Sequence, residues 1–247
     1  MRTAPILSVL SALLLTACAT SEEVNDLANI QPTENLMAAV YSPARPAEDV
    51  ARDEARLPLE TITFAGVFEG ATVAELVPGG GYYTRILSQA VGPMGKVYAL
   101  VPARAAQREG GLDAINAIAV QYENVEVVVV ESFGDLMLSE QADMVWTTEN
   151  YHDLANGDIA AVNRAAYAAL RPGGIYYVQD HAAPGTGMGA LPLHRIDPAA
   201  VREQVTAAGF RLEAQSDHLA NPADTHAQTP FDYNGTTDKF AYRFRRP

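Results

Sequence analysis

Two spacings of apolar residues alternate along most of this 247-residue chain. Short dense runs at 72–77, 96–101, 125–130, 143–147 and 175–179 read as strands, and 210–217 and 239–245 add two more. Between them, 82–91, 103–120, 158–170 and 198–208 carry helix-compatible patterns, the second as one continuous helix. Upstream, 47–57 is mixed and helix-friendly, and Pro58-Leu59-Glu60 opens a further short helix with proline in its first turn. The β-branched run Val127-Val128-Val129-Val130 is continuous enough to be expected buried on both faces. Strand–helix alternation of this kind predicts an α/β fold, a mostly parallel sheet with helices on both faces. Ligands in such sheets bind outside the carboxyl ends of the strands, so function is expected in the loops after the first, second, fourth and fifth.

The N-terminus carries a different signal. Arg2 precedes the apolar run 6–15. That run is far shorter than the ~20 residues needed to cross a bilayer, so 1–17 reads as an export signal. It ends in Leu15-Thr16-Ala17-Cys18, which resembles the lipobox of bacterial lipoproteins. The resemblance implies cleavage before Cys18, lipid on its thiol and stable anchoring through two or three chains. Ala19 after the cysteine implies the outer membrane, facing the periplasm. Residues 18–46 hold Glu22, Glu23, Asp26 and Glu34 with no basic residue before Arg45, and Pro32, Pro43 and Pro46 interrupt any helix. This segment is expected to be an acidic tether, with the folded domain spanning 47–247.

Composition narrows the function classes. With 17 Lys+Arg against 30 Asp+Glu the formal charge is 17 − 30 = −13, which argues against a nucleic-acid partner. Cys18 is the only cysteine, excluding an intramolecular disulfide, a CxxC redox pair and a cysteine-rich zinc site. At 48% hydrophobic residues the chain can build a sizeable core.

The loops carry the chemistry. After the first strand the chain reads Glu75-Leu76-Val77-Pro78-Gly79-Gly80-Gly81-Tyr82-Tyr83, a glycine-rich turn that lets backbone approach a ligand before a helix N-terminus. Leu170-Arg171-Pro172-Gly173-Gly174 precedes the fifth strand, and Ala207-Ala208-Gly209-Phe210 the sixth. In this order the three motifs resemble class I S-adenosylmethionine-dependent methyltransferases. The resemblance implies a three-layer, Rossmann-like methyltransferase fold whose seven-stranded sheet contains one antiparallel strand. Residues 49–246 also resemble a bacterial, often exported family of predicted methyltransferases. Its hallmarks appear as the glycine turn with Tyr82-Tyr83, as Asn150-Tyr151-His152-Asp153, as Asp180-His181 and as Leu193-His194-Arg195-Ile196-Asp197. This implies S-adenosylmethionine held by Glu75, Pro78, Gly79, Gly80, Gly81 and Asn150, with Ser132 and Phe133 flanking the adenine. Two departures stand out. Val77 replaces the first motif glycine, at no cost if its backbone is strand-like, and no acid ends the second strand at Val101-Pro102. Each charge-assisted hydrogen bond lost there costs roughly 1.5–3 kcal/mol.

Three of five histidines fall in loops at the same end. His152, Asp153 and His181 are candidate catalytic groups, an imidazole serving as general base toward a small-molecule acceptor. The alternative is a fold that has lost S-adenosylmethionine and binds another small molecule, or a metal through His152, His181, His194 and Asp180. His218 and His226 are expected at the surface and Trp146 in the core. One of Tyr82 and Tyr83 is expected against the sheet, and Arg243, Arg245 and Arg246 on an edge strand.

Overall fold

The computed structural model describes residues 30–247; the expected signal segment and Cys18 lie outside the described residues. The chain runs α1 (Glu34–Val40), α2 (Ala47–Val50), α3 (Asp53–Arg56), α4 (Pro58–Ala65), β1 (Thr72–Leu76), α5 (Tyr82–Val91), β2 (Lys96–Pro102) and α6 (Ala103–Ala106). It continues through α7 (Asp113–Gln121), β3 (Val125–Val130), β4 (Ala142–Thr148), α8 (Tyr151–Leu154), α9 (Ile159–Ala169), β5 (Leu170–His181), α10 (Pro198–Ala207), β6 (Arg211–Ser216) and β7 (Lys239–Arg245). The seven strands form one sheet in the order β3-β2-β1-β4-β5-β7-β6. Every neighbouring pair is parallel except those of β7, which runs antiparallel to both β5 and β6. This is the expected Rossmann-like methyltransferase fold.

Alternate residues of each strand feed two cores, as the two-residue period of a pleated strand requires. Val73, Val97, Ala99, Met144, Trp146 and Tyr177 face α1, α4, α5 and α7. Ala74, Leu76, Tyr98, Leu100, Val145, Tyr176 and Val178 face α9 and α10. Two side-chain caps fix the second helical layer: Asp158 accepts from Ala161 N at 2.9 Å and Asp197 from Ala199 N at 2.9 Å. Both Tyr82 and Tyr83 are buried. Among the described residues no helix is long and apolar enough to cross a membrane.

Several expectations change. The described end of the expected tether is folded. Helix α1 fits between Pro32 and Pro43, is capped by Thr33, and buries Leu36, Ala39 and Val40, an i, i+3, i+4 stripe, on α4 and α5. Arg45 is buried too, paired with Asp53 at 2.6 and 2.9 Å, so the packed body includes the chain from Thr33 onward. The single helix over 103–120 is two, because Gly110 turns left-handed (φ 68°) and Gly111 passes where a Cβ would stand 2.0 Å from the Ala105 carbonyl oxygen. Strand β3 lies at the sheet edge with Val129 exposed and Val127 and Val128 half-buried; an apolar run cannot reveal its rank in the strand order. Conversely β7, carrying Arg243 and Arg245, is interior. Both guanidiniums grip Glu213 of β6, at 2.6 and 2.5 Å, and Arg246 donates to the Leu170 carbonyl. His218 is half-buried against Thr61 Oγ1 (3.1 Å), and His226 pairs with Asp238 (2.9 Å), so neither is a free surface residue.

Candidate functional site

The strand order reverses between β1 and β4, and the loops leaving these two strands meet there. Both turn through left-handed backbone on non-glycine residues: Val77 at φ 55° and Glu149 at φ 57°. For a β-branched residue this is a strained conformation, worth about 1–3 kcal/mol, and it clusters at functional sites. The expectation of strand-like backbone at Val77 is therefore corrected, and the motif position that favours glycine is occupied by a residue that resists the turn. Asn150 ties the loops together, donating from Nδ2 to Val77 O (3.2 Å) and Thr148 O (2.6 Å).

Two cavities share Val77 as a wall. The smaller, about 150 Å³, is lined by Glu75, Pro78, Gly79, Gly80, Asn150, Arg52 and Arg56, among others. A side-chain atom added at Gly79 or Gly80 would meet nothing, whereas one at Gly81 would collide with Ile118 Cδ1 at 2.0 Å. Gly79 and Gly80 thus leave the turn open to a ligand, while Gly81, which lines neither cavity, lets α5 pack. Glu75 is buried and accepts from Thr84 Oγ1 at 2.6 Å. Burial pushes its carboxyl up to about 7, the Thr84 hydrogen bond opposing. Arg52 lies 5.2 Å over the Tyr82 ring, with no carboxylate partner among the described residues. Arg56 is engaged with Glu149 at 2.5 Å. Neither arginine is marked by a motif; packing of α3 against the glycine turn brings them in.

The larger cavity, about 530 Å³, is lined by Ser132 and Phe133 after β3, Arg104, Gln107 and Glu131, and Asp153 with its neighbours after β4. Ser132 also caps the 3₁₀ turn Phe133–Asp135. The end of β2 carries no acid, but Glu131 places one on the same wall. A concavity of about 1080 Å³ at the opposite, amino ends of the strands is lined by Thr72, Lys96 and Val125 and contains no histidine.

The histidine-bearing segments converge on Asp180, which is fully buried at the end of β5. Its carboxylate accepts from His152 N (2.8 Å), from His152 Nδ1 (2.7 Å) and from His181 N (2.7 Å). Burial, the largest influence on His152, lowers its pKa, but the hydrogen bond and charge of Asp180, with Asp153 and Glu149, raise it above the ordinary imidazole value. His152 Nε2 faces His194 Nδ1 at 3.2 Å. His181 behaves differently: its Nδ1 is 2.8 Å from Thr237 Oγ1, and burial drops its pKa to about 3, so it stays neutral. The expected metal-capable set of His152, His181, His194 and Asp180 therefore does not assemble. Asp180 is taken up by His152 Nδ1 and two backbone N–H groups, His181 by Thr237, and the group that converges is His152, Asp153 and His194. Behind it, Arg195, fully buried, donates to Ala182 O (3.1 Å) and Gln228 O (2.7 Å) and faces the buried Asp224 at 2.9 Å, pinning the late polar loop to the end of β5.

No protein-family model matches the chain, and no curated protein sequence does. Solved structures do. An S-adenosylmethionine-dependent methyltransferase from Aquifex aeolicus superposes with TM-score 0.61 at 18% identity, covering 80% of this chain and 93% of that one. The glycopeptide N-methyltransferase MtfA, complexed with sinefungin, gives 0.54 at 16% identity over 79% and 93%. The 4+2 cyclase SpnF gives 0.57 at 14% identity over 81% and 82%. At these identities the likeness is one of fold.

Proposed function

We propose that this protein is an S-adenosylmethionine-dependent methyltransferase acting on a small-molecule acceptor, held at the cell envelope by lipid on Cys18 and facing the periplasm. The observation that carries the reading is the shared wall at Val77. A ligand with a charged amino-acid end and an adenosine end would lie across it, the first part beside the glycine turn and the second beside Ser132 and Phe133. When bound, the cofactor supplies a methyl group on a sulfonium. Arg52, which has no carboxylate partner among the described residues, would hold the carboxylate; Glu75, ionised, would hold the ammonium; Glu131 and Gln107 would offer the ribose partners that β2 lacks. His152, its Nδ1 fixed by Asp180, presents Nε2 toward Asp153 (3.7 Å), a wall of the larger cavity, which the acceptor would share with the adenosine. Methyl transfer needs mainly in-line positioning, and the imidazole removes a proton from a hydroxyl or amine acceptor.

A second reading, a ligand-binding or otherwise catalytic domain that no longer uses S-adenosylmethionine, is favoured by the acid-free end of β2 and the side chain at Val77. That a neighbour of this fold is named a cyclase is consistent with it. Calorimetric titration separates the two. S-adenosylmethionine should bind saturably, and Arg52→Ala should weaken it roughly 10- to 100-fold, the loss of a charge-assisted hydrogen bond. The absence of saturable heat at roughly millimolar ligand refutes the first reading. Anchoring is tested by fractionation: Cys18→Ala should move the protein from the membrane to the soluble fraction.

A further inference from the structure

We infer that His152, Asp153 and His194 form a binding site for one divalent transition-metal ion of the zinc class, with a coordination position left open. The three facing atoms define a triangle: His152 Nε2 to His194 Nδ1 is 3.2 Å, His194 Nδ1 to Asp153 Oδ1 is 3.5 Å, and Asp153 Oδ1 to His152 Nε2 is 3.7 Å. Ligand bonds of about 2.0–2.1 Å in a tetrahedron place neighbouring donors about 3.3–3.4 Å apart. Donors at right angles around the same ion would stand closer, about 2.8–3.0 Å apart. The observed edges match the tetrahedral spacing better, so an ion fits between the three atoms with little movement of any side chain.

Two further features belong to a built metal site rather than to a chance cluster. Asp180 holds His152 Nδ1 at 2.7 Å while fully buried, which directs Nε2 outward; this carboxylate–histidine–metal relay orients and strengthens metal-bound imidazoles. The accessibility is also graded. The His152 side chain is 4% exposed and rigidly held, whereas those of His194 and Asp153 are each 39% exposed, leaving a face open to solvent. Three protein ligands with one open position characterise sites where the ion engages water or a substrate oxygen. Asp153 also lines the larger cavity, so the open position lies beside that cavity. An oxygen-bearing acceptor able to ligate the ion would be held there. This last point rests on the methyl-transfer reading; metal binding itself does not, and with the ion bound His152 Nε2 is a ligand, so the ion and not the imidazole would activate the acceptor.

The test is equilibrium dialysis of the chelator-stripped, tag-free full chain against Zn²⁺, without cofactor or acceptor. One equivalent should bind, and Co²⁺ should give the intense visible bands of a four-coordinate ion. His194→Gly suits the left-handed backbone at this residue (φ 52°) and removes only the imidazole. It and Asp153→Ala should each weaken binding by at least about tenfold, and His226→Gly, at the same kind of backbone (φ 59°), should not. Fewer than about 0.1 equivalent bound, or equal loss in His226→Gly and His194→Gly, overturns the inference. Because no S-adenosylmethionine is present, failure here leaves the methyl-transfer reading untouched, and success does not establish it.

Discussion

Glu75 offers a direct test of how the glycine-turn cavity is built. Its carboxyl is 3% exposed, with one hydrogen bond among the described residues, from Thr84. Burial raises its pKa from 4.5 to about 7, so between those values the folded chain holds a proton that the unfolded chain has released. Stability from this group is fully present below pH 4.5 and is lost as pH rises through about 7. At 1.36 kcal/mol per unit the shift corresponds to about 3 kcal/mol. Glu75→Gln preserves the shape and the acceptor for Thr84 and removes the titration. Urea unfolding of both proteins should therefore give similar stabilities near pH 4.5. Above pH 8 the glutamine variant should be the more stable by up to about 3 kcal/mol. If the two proteins keep the same difference from pH 4.5 to 8.5, Glu75 is ionised throughout and the burial argument is wrong.

Three other perturbations probe the frame of the site. Gly81→Ala introduces a Cβ at φ 83° against Ile118 and should lower unfolding free energy by about 1–3 kcal/mol, read from the urea midpoint. Arg195→Met leaves Asp224 buried without its cation and should cost about 3–5 kcal/mol, with early proteolysis within 220–238 as an independent readout. Val77→Gly and Val128→Gly remove equally half-buried valines, but only the first relieves a left-handed backbone. The Val77 change should therefore be milder by about 1–2 kcal/mol in the same unfolding assay, and equal losses would argue against strain at the turn.

Much of the frame was legible along the chain, because strand and helix periods are local properties. The seven strands, the glycine turn after β1, the α9 and α10 helices and the candidate status of His152, Asp153 and His194 all follow from short stretches of sequence. The α1 helix was hidden by its acidic, proline-flanked context, although Leu36, Ala39 and Val40 carry the helical spacing that signals it. Strand order, by contrast, is a long-range property. It puts the Val127-Val128-Val129-Val130 run at an edge and Arg243 and Arg245 in the interior, which no local pattern can distinguish. The site depends on the same long-range pairing. Asp180 and His152 are 28 residues apart and His194 a further 14 beyond Asp180, so only the adjacency of β4 and β5 decides that Asp180 orients His152 while His181 turns to Thr237. Backbone conformation divides in the same way. The sequence shows a valine where glycines favour the turn, but the tertiary path between β1 and α5 forces Val77 through left-handed backbone, because the loop must reverse direction beside Asn150 whatever residue stands there.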